Sequence, residues 1–406
     1  MYQNNRLKTV KKQYLYKNAA KIFTNKKNRP TLYICNLKIM KNLTTKKLTI
    51  ISVALIAATI LVYPWVSSKL YADSTFKYKI IDVHEHIQSV EQLSKFFPAM
   101  KELSIDVITF LGSPNQTLQR YDYTGKNFTG YDRNNGEVLK IANSDPKTFK
   151  ALCTLNPNDK HQLEKLQECM ENGAIGVKLY NGHGAFYKRL GVRLDDPEMM
   201  KVYEYCEQNE IPVLYHINLS KYYDQTINIL EAYPNLILDL PHFGINSIKL
   251  DKLSEILERF PNTYTDISFG APEYTAAGFR RLNNKVSKFQ AFFERFQDKI
   301  LFGTDMVITD AEFKDADYIT MTFQCYRDLL EKEQFYCDKV TDFYESRVEE
   351  LEQDYNSCEE DCGDIERDLA DYRKYVEQSQ PLKGLKLDEN ILKKVYEENP
   401  KKFLGI

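Results

Sequence analysis

The sequence predicts a (β/α)8 barrel, a ring of eight parallel strands surrounded by helices, for the chain that follows residue 73. From Lys79 onward, short apolar runs alternate with amphipathic helical stretches, and eight such runs can be counted. That alternation is typical of a parallel sheet with helical crossovers. The chain after residue 73 is about 330 residues long, enough for one large α/β barrel. The alternative is a doubly wound open sheet, which would separate strands 1 and 8, whereas a barrel makes them neighbours.

Each predicted strand is a short apolar or β-branched run that ends in polar or turn residues. In chain order the runs are Lys79–Val83, Asp106–Gly112, Phe149–Pro157, Ala174–Tyr180, Ile211–Asn218, Leu236–Gly244, Thr263–Phe269 and Ile300–Met306. A barrel carries its functional residues at the C-terminal ends of these strands.

The first 66 residues do not belong to the barrel. Residues 1–47 carry 13 Lys and Arg and no Asp or Glu, and residues 48–66 form an uncharged, mostly apolar run. That run has about the 20 residues that a membrane-spanning helix needs, and the basic flank predicts a cytoplasmic N-terminus. We expect a single-pass signal anchor with the barrel on the extracytoplasmic side of the membrane. Two alternatives stay open: a signal peptide cleaved near Ala72, which would give a secreted protein, and a true start at Met40.

Charge and cysteine content exclude some classes of protein. The net charge is -2, and residues 1–47 contribute +13, so the remainder totals -15. Such an acidic body does not suggest nucleic-acid binding. The eight Cys show no zinc-ribbon pairing. Cys153 and Cys206 lie in apolar patterns, which predicts that they are core residues.

The strongest motif is the run Lys79–Ile87, KIIDVHEHI, in which an apolar strand ends in His84-Glu85-His86. Residues i and i+2 of a strand point to the same face, so His84 and His86 project side by side. Histidine is the commonest metal ligand, and two imidazoles held in this way can bind one ion.

Further polar residues lie at the ends of later strands. Lys178 lies in strand 4, His216 ends strand 5, His242 follows strand 6 and Asp305 ends strand 8. Singly, each has an ordinary explanation, such as a core histidine or a helix-capping aspartate. Jointly, they place four of the six histidines on one rim of a barrel, which predicts a metal site there.

This constellation resembles the amidohydrolase superfamily, and in particular the amidohydrolase-related branch that includes carboxymuconate-semialdehyde decarboxylases and lactone hydrolases. The resemblance covers about residues 79–309 and the terminal stretch LKLDENILKKVYEENPKKFLGI. It implies that the chemistry is carried by His84, His86, His216, His242 and Asp305.

The resemblance leaves the number of metal ions open. Many members of the superfamily have a carboxylated lysine in strand 4 that bridges two metals, and GAIGVKLY is similar to that segment. Lys178 is therefore a candidate ligand. The related branch usually works with one metal and no such lysine. We expect one or two divalent ions, with Zn²⁺ as the expected metal.

The residue types predict a hydrolase. A bound divalent ion would lower the pKa of a water ligand toward ~7, and Asp305 would accept its proton. His242 would hold the carbonyl of a small amide, ester or lactone substrate and stabilise the oxyanion. Tyr180, Asn181, His183 and Asn218 follow strands 4 and 5, and they are candidates for binding the substrate. Ordinary loop polarity explains each of them equally well.

Residues 315–380 do not fit the alternation of strands and helices that the barrel requires. Between Asp338 and Glu377 there are 15 acidic and 5 basic residues. Apolar residues recur there at helical spacing, and Ser357–Gly363 interrupts them. We predict an inserted acidic helical hairpin, with barrel residues 74–314 and 381–406 on either side. A solvated spacer is the plain interpretation; a lid, a partner site and a homo-oligomer contact are the functional ones.

Two other classes of function stay open. A metal-dependent decarboxylase would use the same site, and basic residues placed to hold two carboxylates would favour it; no rim arginine is evident from the sequence. A non-catalytic surface protein would keep the barrel and bind partners through the hairpin. The complete set of metal-ligating residues argues against the second class.

Overall fold

A computed structural model describes residues 78–118, 128–245, 247, 249–358 and 362–406 of the chain. The predicted basic segment 1–47 and the predicted transmembrane segment 48–66 lie outside these residues. Within the described part, no helix is both long enough and apolar enough to cross a membrane.

A nine-stranded sheet organises the described chain. All its pairings are parallel, and neighbours follow the order β8-β7-β6-β5-β4-β3-β2-β1-β9. The strands are β1 (Ile80–Ile87), β2 (Ile105–Leu111), β3 (Phe149–Thr154), β4 (Gly176–Leu179), β5 (Val213–Tyr215), β6 (Leu238–Asp239), β7 (Thr263–Asp266), β8 (Ile300–Leu301) and β9 (Val307–Ile308). Each predicted run therefore contains a strand, and the predicted parallel α/β sheet is confirmed.

The segment from β8 to β9 pairs with β7 at its beginning and with β1 at its end. Between them, Val83 N–H donates to the carbonyl of Phe302 at 3.1 Å, and His86 N–H donates to that of Met306 at 2.8 Å. Strands 1 and 8 are thus neighbours. This arrangement is consistent with a (β/α)8 barrel, whereas an open doubly wound sheet would keep those strands apart.

Buried apolar side chains of the strands form the core of the sheet. They form one buried cluster to which Phe403 and Leu404 of the last helix also belong. The Phe403 ring lies 5.7 Å from that of Tyr264 in β7, centre to centre. The cluster comprises Ile81, Val83, Val107, Leu111, Leu152, Leu214, Tyr264, Leu301, Phe403 and Leu404.

Helices connect the strands and bury one apolar stripe each. The helix Asp251–Arg259, for example, buries Leu253, Ile256 and Leu257, which are spaced by three and one. The helices are Phe97–Leu103, Asn115–Leu118, Tyr131–Ser144, Gln162–Glu171, Gly184–Leu190, Pro197–Gln208, Leu219–Ala232, Asp251–Arg259, Pro272–Asn284, Val286–Arg295, Ala316–Glu331, Asp338–Asn356, Gly363–Glu377, Glu389–Lys393 and Asn399–Leu404, with a 3₁₀ helix at Val90–Phe96 and a π-helical turn at Lys394–Glu398.

The predicted insertion 315–380 contains three helices. The first, Ala316–Glu331, packs against Phe97–Leu103. The other two, Asp338–Asn356 and Gly363–Glu377, pack against each other, and the chain between them is the predicted interruption. The Tyr344 hydroxyl of this pair donates to the Ala276 carbonyl at 2.9 Å. The pair thereby rests on the helix that follows β7. A short antiparallel ribbon of β10 (Gln334–Phe335) and β11 (Leu382–Lys383) joins the chain on either side of it.

Three disulfides form among the described residues: Cys153–Cys169, Cys325–Cys337 and Cys358–Cys362. Cys206 is a buried free thiol. Cys153 and Cys206 are both buried, as predicted. Cys153 is nevertheless half of a disulfide, because its partner lies on the helix that packs over β3; sequence spacing did not identify that pair.

Candidate metal centre

A bulge in β1 directs the first two histidines of the site. Between Asp82 and Glu85, three steps along β1 match two steps along β2, so the ladder carries one extra residue. Val83 packs in the apolar interior cluster, and the next residue, His84, contacts polar groups of the site. Bulges are common beside active sites because they re-aim side chains in this way.

The Asp305 carboxylate lies within 3.4 Å of three imidazole rings. Its Oδ1 lies 2.9 Å from Nε2 of His86 and 3.3 Å from Nε2 of His84. Its Oδ2 lies 3.4 Å from Nε2 of His242. One ligand atom each from His84, His242 and Asp305 lie within 4.8 Å of one another, so they could hold one ion.

The other ring nitrogen of each imidazole is already bound by the protein. Nδ1 of His84 lies 2.6 Å from Oδ2 of Asp266, and Nδ1 of His242 lies 2.8 Å from the Ser268 carbonyl. A carboxylate and a carbonyl only accept hydrogen bonds, so both Nδ1 atoms carry a proton. Each Nε2 then presents a lone pair toward Asp305.

A hydroxyl group determines which nitrogen of His86 carries the proton. Its Nδ1 lies 2.7 Å from Oγ of Ser113, and that hydroxyl donates its one proton to the Leu111 carbonyl at 2.9 Å. Ser113 must therefore accept from the His86 ring, which leaves the Nε2 lone pair of His86 free. Three lone pairs and a carboxylate converge without a proton between them, an arrangement that a bound cation would stabilise.

Electrostatics favour the protonation states that metal ligands need. Burial, reinforced by the Lys178 charge, lowers the pKa of His84 to about 4, and burial also lowers that of His86. Burial alone would raise the pKa of Asp305, whereas positive charge on the adjacent rings of His84, His86 and His242 lowers it well below its usual range, and a bound cation would act in the same direction. Neutral imidazoles and an ionised carboxylate are the forms that bind metal.

The backbone is strained at two of these side chains. His242 has φ 59° and ψ 39° within a left-handed turn over Pro241–Ile245, and Asp305 has φ 57°. Each such residue costs roughly 1–2 kcal/mol. Gly270 lies beside Asp305 at φ 77°, and a Cβ there would collide with the Asp305 carboxylate. Strain of this kind concentrates at functional sites.

Lys178 is fully buried in β4. Its Nζ lies 3.1 Å from Nε2 of His84, so an ammonium at Lys178 donates to the lone pair that a metal would use. Burial lowers the pKa of Lys178 to about 8, against the opposing pull of the carboxylates of Asp305, Asp266 and Asp239.

His216 directly follows β5 and lies beside the Asp305 cluster. Its ring centre is 4.7 Å from that of His242 and 4.7 Å from that of His183. Burial, then the charges of His183 and His242, lower its pKa well below the usual value. Among the described residues, His216 is not in the group whose ligand atoms lie within 4.8 Å of one another.

The predicted substrate-binding residues differ in how the protein holds them. The Asn181 side-chain oxygen accepts from the Tyr215 hydroxyl at 2.8 Å, and that of Asn218 caps the following helix by accepting from Ser220 N–H at 3.1 Å. Tyr180 is buried, with its hydroxyl 3.4 Å from Oγ of Ser113. His183 is half-buried next to His216. His183 therefore combines partial exposure with a ring that lies next to an imidazole of the site, that of His216.

Sequence reasoning missed the residues that support the ligands. The most important is Asp266 in β7, which accepts from the His84 ring and, at 2.9 Å, from His242 N–H. Ser113 and Ser268 were missed as well. A signal for Asp266 existed, because an acidic residue stands in the predicted strand Thr263–Phe269, as Asp305 does in strand 8.

A parallel α/β sheet with a cluster of buried histidines and one aspartate at its strand ends defines a metal-dependent enzyme. The family model described as amidohydrolase matches residues 81–334. The chain belongs to this family, and the resemblance found in the sequence is confirmed. It is an enzyme of the metal-dependent amidohydrolase type.

Three similar solved structures have low sequence identity to this chain. An uncharacterised TIM-barrel protein from Bordetella bronchiseptica has 18% identity and TM-score 0.40, with 66% of this chain and 91% of that chain covered. An amidohydrolase from Burkholderia multivorans with bound HEPES has 10% identity and TM-score 0.47, with 81% and 99% covered. A 4-oxalomesaconate hydratase from Rhodopseudomonas palustris has 15% identity and TM-score 0.43, with 80% and 95% covered. No curated protein sequence matches the chain.

Proposed function

We propose that the protein is a hydrolase that uses one bound Zn²⁺ to cleave a small amide, ester or lactone at the rim of a closed (β/α)8 barrel. One observation carries the proposal: the Nε2 lone pairs of His84, His86 and His242 converge on the ionised Asp305 with no proton between them. Imidazole nitrogens and carboxylate oxygens form a donor set that suits zinc.

A divalent ion bound there would supply Lewis acidity, lowering the pKa of a water ligand to about 7 and polarising a carbonyl. The side chains would accept the proton and orient the reacting groups. Asp305 would accept the proton of the attacking water, because it is a carboxylate whose Oδ2 faces the site beside His242. His242 donates its Nδ1 proton to the Ser268 carbonyl, so its Nε2 lone pair would serve as a ligand of the ion.

The test is a metal analysis of the purified protein followed by a screen of esters, lactones and amides. We expect about one Zn²⁺ per chain and turnover that chelation abolishes and Zn²⁺ restores. Full turnover in a protein freed of metal would overturn the proposal. Two ions per chain would instead support a bridging, carboxylated Lys178.

Decarboxylation is the second candidate, and one observation favours it. Lys178 places an amine 3.1 Å from Nε2 of His84, where it could hold a substrate carboxylate. Release of CO₂ from small aromatic and unsaturated acids, measured in the same screen, separates this reaction from hydrolysis. A Lys178→Met variant would then lose decarboxylation.

We also propose that the barrel is exported and anchored by residues 48–66. Support comes from two independent features: the basic flank before the apolar run, and the three disulfides in the described chain. Disulfides persist in oxidising compartments outside the cytoplasm.

A further inference from the structure

Asn134, on the helix Tyr131–Ser144 between β2 and β3, is a buried polar residue that the proposed reaction does not use. It is only 1% exposed, although its side-chain amide carries two hydrogen-bond donors and an acceptor. Burying such an amide is costly unless its hydrogen bonds are made. The partners of Asn134 therefore indicate its role.

The side chain of Asn134 binds the backbone at the ends of two neighbouring strands. Its Oδ1 accepts from Ser113 N–H at 2.8 Å, just after β2. Its Nδ2 donates to the Ile87 carbonyl at 2.9 Å and to the Gln88 carbonyl at 3.1 Å, where β1 ends. Both donors and the acceptor are thus used, and they link the end of β1 to the end of β2.

This link lies beyond the point where the backbones of the two strands pair. The last pair in the ladder of β1 and β2 is Glu85 with Phe110, so Ile87 and Ser113 both follow it. The amide of Asn134 offers the same donor and acceptor groups as a peptide unit. It therefore continues the connection between the strands where the ladder has ended.

Both backbone segments that Asn134 holds adjoin His86. On the side of β1, Ile87 directly follows His86 in the chain. On the side of β2, Oγ of Ser113 accepts from Nδ1 of the His86 ring at 2.7 Å. Asn134 thus fixes the backbone that carries the imidazole relative to the hydroxyl that orients it.

Asn135, the next residue of the same helix, binds a strand that carries no proposed metal ligand. Its Oδ1 accepts from Thr154 N–H at 2.8 Å, and its Nδ2 donates to the Thr154 carbonyl at 2.9 Å. Asn135 is buried as well. Comparing the two residues therefore separates a role in packing the helix on the sheet from a role at the metal centre.

We propose that Asn134 is a positioning residue for His86: it keeps the imidazole aligned with Ser113, so that Nε2 of the ring faces Asp305. The inference rests on the proposed function, because it concerns the orientation of a proposed zinc ligand. The competing explanation is that Asn134 only fastens the helix to the sheet. Its loss would then lower stability and leave the metal centre unchanged.

The first test measures Zn²⁺ affinity by chelator competition in Asn134→Ala and in the matched control Asn135→Ala. Each substitution removes one buried amide and keeps a good helix former in its place. We expect the affinity to fall roughly 10-fold in Asn134→Ala and to stay within about threefold of wild type in Asn135→Ala. Wild-type affinity in Asn134→Ala, or equal losses in the two variants, would overturn the inference.

A second measurement uses the wild-type protein, so it does not depend on the folding of either variant. The amide protons of Ser113 and Thr154 are each accepted by an asparagine oxygen at 2.8 Å. Removing Zn²⁺ with a chelator should raise the hydrogen-exchange rate of Ser113 roughly 10-fold more than that of Thr154, since only Ser113 also binds a ligand of the ion. Equal changes at the two amides would overturn the inference.

The inference and the proposed function can fail separately. A protein that loses Zn²⁺ affinity in Asn134→Ala but hydrolyses nothing would contradict the proposed function and leave the role of Asn134 as assigned. A zinc-dependent hydrolase whose metal affinity is unchanged in Asn134→Ala would contradict the inference alone.

Discussion

Oδ1 of Asp305 lies 2.9 Å from Nε2 of His86, although β1 and β8 are the first and last strands of the eight predicted units. The contact exists because the segment that carries Asp305 pairs with β1, where Asp305 N–H donates to the His84 carbonyl at 2.8 Å. The pairing of this segment with β1 therefore brings Asp305 to the two histidines.

Asp305→Asn should separate proton transfer from metal binding. An amide oxygen can still coordinate weakly, so we expect much of the metal to remain. Turnover should fall by roughly 10²–10⁴-fold, as when a general base is lost. The measurement is kcat with metal content determined in the same sample. Wild-type turnover would mean that Asp305 is not the base.

His84→Ala combined with His86→Ala should remove the metal. The Nε2 atoms of both rings lie near the same Asp305 oxygen, where they could bind one ion, so the double variant loses two ligand atoms at once. Chelation should lower the melting temperature of wild type, since a ligand at 100 times its Kd stabilises by about 2.7 kcal/mol.

The melting temperature of the His84 and His86 double variant should not respond to chelator. His161→Ala is the matched control, because His161 is 60% exposed and contacts Glu164 away from the site. Unchanged zinc content in the double variant would contradict the assignment of these ligands.

Asp266→Ala should weaken the metal site without removing a ligand. The His84 ring would lose its acceptor at Nδ1, and His242 N–H would lose its acceptor as well. We expect the zinc affinity to fall roughly 10–100-fold. Asp106→Ala is a suitable control, since the Asp106 side chain is 47% exposed and pairs with Lys79. Equal affinities in the two variants would rule out an orienting role for Asp266.

The disulfide of Cys153 and Cys169 should stabilise the protein more than that of Cys358 and Cys362. The first spans 16 residues and the second 4, and closing a longer loop removes more entropy from the unfolded chain. Paired Cys→Ala variants should lose about 3 and about 2 kcal/mol of unfolding free energy. Denaturant melts give the difference, and the reverse ranking would contradict the entropic account.

The chain should direct its C-terminus out of the cytoplasm. The reason is the positive charge that precedes the apolar run 48–66. A reporter fused after Ile406, active only on one side of the membrane, provides the measurement. A cytoplasmic C-terminus would defeat the export proposal, and retention of residues 1–66 in the mature protein would distinguish an anchor from a cleaved signal.

The sequence predicted the positions of the strands better than their lengths. All eight runs contain a strand, because apolar runs bounded by turns are set by local composition. The run Leu236–Gly244, however, yields only Leu238–Asp239 as β6, and its end turns left-handed at His242. Where a strand stops depends on which neighbour supplies its hydrogen bonds, and the sequence does not contain that information.

The sequence by itself determined the residue types of the site and the end of the sheet where they lie. Parallel strands bring their C-terminal ends to one edge, so His84, His86, His242 and Asp305 could be grouped before any contact was known. The tertiary structure alone decided which nitrogen of each imidazole faces Asp305. That choice depends on Asp266, Ser113 and Ser268, which are of ordinary residue types and come from other strands.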